Sequence, residues 1–316
     1  MSKTFKILSI DGGGYRGVYA AHILKRIEEE FSVNWRKEFG LITGTSTGSI
    51  IASGLAIGFP ASKIVDLYEQ HGSDIFKKPR IPGGIFFKSK YSNEGLHKTL
   101  DCFLGNIKLG DIEIPLIIPA TDVGNGCVHV FKSTYHNEFF RDKDVPVSKA
   151  VLASCSAPMF FPPVLMSCQK RKYLLADGGV WANNPSLIAT IDAKRRLGVN
   201  LDDIQILSIG TGITNKFYSI KNFHKKKLFG WGILTLWGRE KFIEMILNLQ
   251  SQTSNNMLGL LLKPEQILRI NFDSDIKLPL DATDEFDDLI TRADRDFTHK
   301  SATIKQFLKS EVEHEQ

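Results

Sequence analysis

The chain has 316 residues, of which 42% are hydrophobic and 24% charged, so it can bury a large core. This composition excludes a chain that is disordered throughout. The 40 basic and 35 acidic residues leave a formal net charge of only +5, a mild excess that does not by itself indicate a nucleic-acid-binding protein.

The cysteines and the first residues of the chain limit the kind of site and the compartment. None of Cys102, Cys127, Cys155 and Cys168 forms a C-x-x-C pair, so we expect neither a zinc site nor a redox motif. The chain opens without the charged region and apolar region of a secretory signal. We therefore expect a cytoplasmic protein.

The first part of the chain alternates short apolar segments with segments of helical periodicity. The pattern predicts a buried strand at Phe5–Ile10 and a helix at Val18–Phe31. It then predicts a second strand at Phe39–Thr43 and a second helix at Gly48–Ile57. A third helix is expected from Ala61 to about Ile75, because Pro60 is suited to its start.

The same alternation continues through the rest of the chain. Strands are predicted at Ile114–Thr121, Val128–Lys132, Tyr173–Ala176 and Ile204–Ile209, and helices at Val147–Ser154, Pro185–Leu197, Arg239–Leu262 and Glu285–Leu308. Alternating strands and helices favour an α/β layered sheet. Because no Gly/Ser-rich or Pro-rich linker divides the chain, we predict one domain over 1–316, with basic, aromatic loops at 77–92 and 214–238.

The first motif, G-T-S-T-G at Gly44–Gly48, lies between a predicted strand and a predicted helix. A nucleophile elbow is a tight turn in this setting, and it needs small residues two before and two after the serine. Gly44 and Gly48 meet that requirement, so Ser46 is the candidate nucleophile.

The second motif, D-G-G-G-Y-R-G at Asp11–Gly17, also lies between a strand and a helix. Consecutive glycines leave backbone N–H groups unshielded at a helix N-terminus, where they can bind an anion or the oxyanion of an acyl transfer. Gly12, Gly13 and Gly14 are therefore candidate oxyanion donors.

A different class of function is also compatible with this glycine loop. Gly12, Gly14 and Gly17 match G-x-G-x-x-G, the pattern of a dinucleotide-binding oxidoreductase. That pattern requires an acidic residue about 20 positions later, at the end of the second strand. The second strand here ends in Thr43–Ser46 instead, so this alternative is disfavoured.

The third motif, D-G-G at Asp177–Gly179, follows the predicted strand segment Y-L-L-A. A nucleophilic serine needs a base that accepts its proton, and none of the eight histidines has a sequence setting that marks it as that base. Asp177 is the better candidate, and we expect it to be partly desolvated so that its pKa is raised. The alternative is that Asp177 only caps a turn, as Asp before Gly often does.

The three motifs, in this order, resemble the patatin-like phospholipase family. The family pattern is an oxyanion glycine loop, a G-x-S-x-G serine and a D-G-G/A aspartate. Further similar stretches are Ser154–Pro163, Asn183–Pro185 and Ser208–Gly212, and the resemblance runs from residue 5 to about 212.

The resemblance implies a fold, an activity and roles for residues. The fold would be three-layer α/β, with a mostly parallel central sheet flanked by helices. The activity would be hydrolysis of fatty acyl esters of membrane phospholipids or lysophospholipids by a Ser46–Asp177 dyad, without a cofactor or metal. Gly12, Gly13 and Gly14 would supply the oxyanion hole. The supporting residues would be Arg16, Gly44, Gly48 and Gly178, and Arg16 would either steady the glycine loop or face a substrate phosphate.

The expected partners follow from the same resemblance and from the charge pattern. Loops 77–92 and 214–238 interleave lysines with aromatic residues, which predicts transient contact with the inner membrane surface; the alternative is that the aromatics belong to the core. The family also includes bacterial antiphage effectors that cyclic nucleotides activate, so a cyclic nucleotide activator is an alternative partner. No nucleic acid is expected. A catalytically silent lipid-binding protein is a third class, which intact Ser46 and Asp177 disfavour.

Overall fold

A computed structural model describes residues 4–76, 89–169, 171–214, 218, 238–274 and 278–310. The strands in these residues are β1 (Phe5–Ile10), β2 (Leu41–Gly44), β3 (Leu116–Asp122), β4 (Cys127–Lys132), β5 (Val164–Cys168), β6 (Arg171–Asp177), β7 (Ile204–Ile209), β8 (Ile213–Thr214), β9 (Ile267–Ile270) and β10 (Asp273–Ser274). The helices are α1 (Gly17–Phe31), α2 (Trp35–Glu38), α3 (Thr47–Ile57), α4 (Ala61–Ile75), α5 (Asn93–Leu104), α6 (Val147–Ser154), α7 (Gly179–Ala182), α8 (Ser186–Arg196), α9 (Arg239–Leu261) and α10 (Phe286–Lys309). Each predicted strand and helix corresponds to one of these elements, with bounds that differ by at most two residues.

The larger sheet has the strand order β5-β6-β3-β2-β1-β7-β9, and β4 also pairs with β3. The five strands β3, β2, β1, β7 and β9 run parallel to one another. The expectation of a mostly parallel sheet needs a qualification, because β4 and β6 run antiparallel to β3 and β5 runs antiparallel to β6. Short turns join β3 to β4 and β5 to β6, and a turn of that length can connect only antiparallel neighbours.

Helices cover both faces of the parallel part of the sheet, as the α/β prediction requires. Along β1, Leu8 and Ile10 join the larger core with α1, α3 and α10, whereas Ile7 joins a smaller core with α8 and the end of α9. Successive side chains of a strand point to opposite faces, so these cores are the two sides of one sheet. The predicted three-layer α/β fold is confirmed.

Several elements were absent from the sequence prediction. They include α5, whose first turn is capped by the Ser92 hydroxyl accepting from the Glu94 N–H, and the short strands β5 and β9. Most of the predicted basic, aromatic loops falls on residues 77–88, 215–217 and 219–237, which lie outside the described residues. The division into one domain over 1–316 stays a prediction. In the part of the chain that the structure describes, no helix is long and apolar enough to cross a membrane.

Candidate active site

Ser46 lies on the sharp turn between the last residue of β2 and the first residue of α3. Its φ of 53° and ψ of −126° are rare for a residue with a side chain, so the surrounding contacts must hold the turn in place. The Ser46 N–H donates to Ser154 Oγ at 3.0 Å, and Ser154 Oγ donates to the Pro119 carbonyl at 2.6 Å. Ser154 therefore ties the turn to β3.

The two glycines that flank Ser46 are required by close backbone contacts. A Cβ atom on Gly44 would lie 2.0 Å from the Gly48 carbonyl oxygen. A Cβ atom on Gly48 would lie 2.3 Å from the Ile10 carbonyl oxygen. A side chain at either position would push apart β1, β2 and α3, which explains the small residues in G-T-S-T-G.

Asp177 is the last residue of β6, and only 3% of its surface is exposed. Its carboxylate accepts the Gly179 N–H at 2.7 Å, and the Ser46 hydroxyl lies close enough to lower its pKa by hydrogen bonding. Burial raises the pKa of Asp177 from its ordinary 3.8 to about 7, and the hydrogen bonds from Gly179 and Ser46 offset only part of that effect. The structure thus brings Ser46 and Asp177 into direct contact, from positions 131 residues apart in the chain.

Asp177 lies near Ser46 because β6 runs antiparallel to β3 and ends at Asp177. Asp177 is paired with Ala120 of β3, beyond the point at which β2 has stopped pairing with β3. Gly178 then turns the chain over β3, where a Cβ atom would lie 2.4 Å from the Pro119 carbonyl oxygen. Gly178 supports the site through this close approach.

The contacts of the glycine loop that follows β1 show that the role predicted for Gly12 is wrong. The Gly12 N–H donates to the Asn183 carbonyl at 2.9 Å, so it is not free to receive an oxyanion. Among the described residues, the amides of Gly13 and Gly14 have no backbone acceptor, and both residues line the cavity that contains Ser46. The candidate oxyanion donors are therefore Gly13 and Gly14 alone.

Arg16 holds the glycine loop in shape. Its Nε donates to the Gly13 carbonyl at 3.2 Å and its Nη1 to the Leu278 carbonyl at 3.4 Å. The Tyr15 N–H donates to the Leu280 carbonyl at 2.7 Å, which anchors the same loop to a distant segment. Of the two roles considered for Arg16, these contacts favour steadying the loop.

Two residues of the site received no role in the sequence analysis. Ser154 positions the Ser46 turn, and Asn183 holds Gly12 through its carbonyl and through its Nδ2, which is 3.4 Å from the Gly12 carbonyl. Their only signal in the sequence was that they begin the stretches Ser154–Pro163 and Asn183–Pro185, which resemble the family. Neither residue type points by itself to these contacts.

A narrow apolar cavity opens beside Ser46 and Asp177. Its apolar lining includes Ile50, Tyr68, Phe76, Phe160, Phe161 and Leu247. Two larger surface depressions, one beside α2 and one between α4 and α5, contain none of the motif residues. Within the described ranges, no group of three or more His, Cys, Asp or Glu side chains is arranged to hold a metal ion.

Comparisons with known proteins identify the family of the chain. The family model described as patatin-like phospholipase matches residues 8–190. A cGAMP-activated phospholipase of Pseudomonas aeruginosa is 32% identical over 66% of this chain and 62% of its own length. A cGAMP-activated phospholipase of Vibrio cholerae is 32% identical over 74% of this chain and 70% of its own length. A cUMP-AMP-activated phospholipase of Escherichia coli is 28% identical over 96% of this chain and 93% of its own length.

Proposed function

Because this chain belongs to the patatin-like phospholipase family, we propose that it is a serine lipid acyl hydrolase with Ser46 as nucleophile and Asp177 as general base. The observation that carries the proposal is the contact between the Ser46 hydroxyl and a buried carboxyl whose pKa is raised to about 7. A general base works best when its pKa lies near the working pH. No histidine is among the described residues that line the cavity, so a dyad suits the site better than a triad.

The proposed reaction proceeds through an acyl-enzyme. Ser46 Oγ attacks the ester carbonyl while its proton passes to Asp177, and the N–H groups of Gly13 and Gly14 receive the oxyanion. Asp177 then gives the proton to the departing alcohol oxygen. A water molecule transfers its proton to Asp177, attacks the acyl group and releases the fatty acid, and Ser46 recovers its proton from Asp177.

The apolar cavity supports a fatty acyl chain as the substrate group. Its aromatic and aliphatic lining suits a hydrocarbon group and offers few polar partners to a sugar or peptide, and its volume of about 40 Å³ admits the part of an acyl chain next to the ester. The proposed substrates are therefore phospholipids or lysophospholipids, reached by peripheral contact with the inner membrane surface from the cytoplasm. The dinucleotide-binding alternative gains no support, because the family model matches the glycine loop as part of a phospholipase.

Replacing Ser46 by Ala tests the nucleophile. We expect Ser46→Ala to lose fatty-acid release from phospholipid vesicles and labelling by a fluorophosphonate probe. Ser53→Ala is the matched control, because Ser53 is a buried serine of α3, the helix that follows Ser46, and its hydroxyl has no hydrogen-bond partner within the described residues. Wild-type fatty-acid release by purified, folded Ser46→Ala protein would contradict the assignment.

Activation by a cyclic nucleotide is a second proposal, supported by the names of the three relatives. In this version the protein is a membrane-degrading antiphage effector that is inactive until the nucleotide binds. The test measures fatty-acid release with no nucleotide, with cGAMP and with cUMP-AMP. Activation by either nucleotide supports the proposal, whereas full activity without nucleotide and no change on addition contradicts it.

A further inference from the structure

Two β-hairpins extend beyond the end of the sheet at which Ser46 lies. Parallel pairing between β2 and β3 stops at Ile117, but β3 continues to Asp122 and there pairs with β6. The β5–β6 hairpin and the β3–β4 turn therefore project past the Ser46 turn. β6 returns from this projection and ends at Asp177.

The projecting hairpins share an exposed apolar face. Leu165 and Leu174 are directly paired across β5 and β6, and they are 68% and 36% exposed. Val123, 45% exposed, donates its N–H to the Leu174 carbonyl at 2.8 Å, and Val128 is 62% exposed. Val128 is connected to this hairpin through Thr121 of β3, which pairs with Val128 in β4 and with Ala176 in β6.

These pairings place the four side chains on one side of the sheet. Directly paired residues point to the same face, and so do residues two apart in one strand, such as Leu174 and Ala176. The other side of the same hairpin is covered, because Leu175 and Met166 are buried in the main core with α6. We call Val123, Val128, Leu165 and Leu174 the hairpin face.

Two exposed cations border the hairpin face. Lys172 is two residues from Leu174 and therefore points to the same side, and Arg171 precedes it at the hairpin end; both are exposed. Between residues 145 and 176 the chain contains no Asp or Glu. Asp142 and Asp144 lie near Cys168 at the same end, but they are paired with Arg141 and Lys108. Phe140, 61% exposed, adjoins this end, since its carbonyl accepts from Gln169 Nε2 at 3.3 Å.

We propose that the hairpin face docks on the surface of an anionic phospholipid bilayer. Its apolar side chains would enter the boundary between headgroups and acyl chains, while Arg171 and Lys172 would meet lipid phosphates. Leu174 is three residues from Asp177, roughly 10 Å along the strand, so docking would turn the active-site end of the sheet toward the lipid. The proposal rests on the proposed function, because the bilayer is then also the source of substrate.

The charge of the surface favours a membrane over a second copy of the chain. An isologous dimer places the same patch on both subunits, so the cations of the two copies would lie at one interface. An anionic lipid surface instead gives these cations an opposite charge. We therefore expect the wild-type protein to bind anionic vesicles without needing to self-associate.

The test compares vesicle binding with hydrolysis of a soluble ester. Leu165→Asp/Leu174→Asp should weaken co-sedimentation with phosphatidylglycerol vesicles at least about tenfold. Arg171→Gln/Lys172→Gln should weaken it by about fivefold for each charge removed, with little change on phosphatidylcholine vesicles. Both variants should hydrolyse a soluble short-chain p-nitrophenyl ester at the wild-type rate, which shows that they are folded.

Leu260→Asp is the matched control. Leu260 lies on α9 and is 88% exposed. Leu258, two residues earlier in α9, packs against the starts of β2 and β7, so Leu260 lies at the other end of the sheet from the hairpin face. Vesicle binding by this variant should equal that of the wild type. Unchanged vesicle binding by both hairpin variants would overturn the proposal. It would also be overturned if sedimentation velocity showed that the wild type is a dimer and that Leu165→Asp/Leu174→Asp is a monomer. If the wild type hydrolyses no ester either alone or with cGAMP or cUMP-AMP, the proposed function fails, whereas vesicle binding still decides the docking face.

Discussion

Two buried aspartates near the active site share the sequence D-G-G, but only one of them has a cation beside its carboxylate. Asp11 and Asp177 both begin a D-G-G sequence at the end of a buried strand, and they are 2% and 3% exposed. Asp11 accepts two hydrogen bonds from the Arg269 guanidinium, at 2.8 and 2.5 Å. Among the described residues Asp177 has no ion-pair partner and accepts only from Gly179 and Ser46.

The difference assigns the two aspartates to different tasks. Burial raises the pKa of both carboxyls, and at Asp11 the positive charge and the hydrogen bonds of Arg269 offset part of that rise. Asp11 therefore links β1 to β9 as a structural ion pair. Asp177 keeps enough affinity for a proton to serve as a base, because no cation stabilises its charged form.

The largest expected effect is the loss of activity when Asp177 can no longer act as a base. Asp177→Asn should lower the rate of fluorophosphonate labelling by about a thousandfold or more, because the amide cannot accept the Ser46 proton. Asp122→Asn is the control, since Asp122 is a buried carboxylate of β3 whose Oδ1 accepts only from the amides of its own turn. Labelling of Asp177→Asn at the wild-type rate would remove Asp177 from the base role.

The second effect concerns stability at the other aspartate. Arg269→Met leaves the Asp11 carboxylate buried without its cation, which should lower the free energy of unfolding by about 3–5 kcal/mol. Urea unfolding at pH 7 measures this loss. The double variant Asp11→Asn/Arg269→Met should recover most of it, because the uncompensated charge is then gone. A double variant as unstable as Arg269→Met would show that the lost packing of Arg269 causes the effect.

The sequence predicted the motifs but could not distinguish the two D-G-G tripeptides by their partners. Arg269 is 258 residues from Asp11 and lies in β9, a four-residue strand that the pattern did not predict. The use of the Gly12 amide by Asn183 was equally hidden, because only the folded chain brings these loops together. Apolar residues at strand or helix spacing can be recognised in a single sequence, whereas a contact between two loops depends on the tertiary structure.

The third effect is a gain of stability from the same Asp177→Asn change. Its folded-state pKa of about 7 exceeds the ordinary 3.8, so the protonated carboxyl stabilises the fold below about pH 4, and this contribution is lost as the pH rises through 7. The asparagine variant never carries the buried charge. Its advantage in unfolding free energy should therefore grow by up to ~3 kcal/mol between pH 5 and pH 9. An advantage that stays constant with pH would contradict the raised pKa.

The fourth effect tests the oxyanion loop. Gly14 has a φ of +60°, and a Cβ atom there would lie 2.1 Å from the Leu280 carbonyl oxygen. Gly14→Ala should therefore displace the Gly13 and Gly14 amides and lower kcat about a hundredfold. Gly198→Ala is the control, because Gly198 has a φ of +71° but a Cβ atom there would meet no atom within 4 Å. Equal activities of the two variants would exclude the loop from catalysis.

The smallest effect is the pH dependence of the wild-type enzyme on a soluble ester. The reaction needs the ionised form of Asp177, and protonation removes that form as the pH falls through about 7. We expect kcat/KM to fall about tenfold for each pH unit below that value and to level off above it. Asp11 should leave no trace in this profile, because its carboxylate is bonded to Arg269 and has no part in the proton transfer from Ser46. A profile that stays level down to pH 5 would mean that the base has an ordinary carboxyl pKa, and the contrast between the two aspartates would then lose its catalytic meaning.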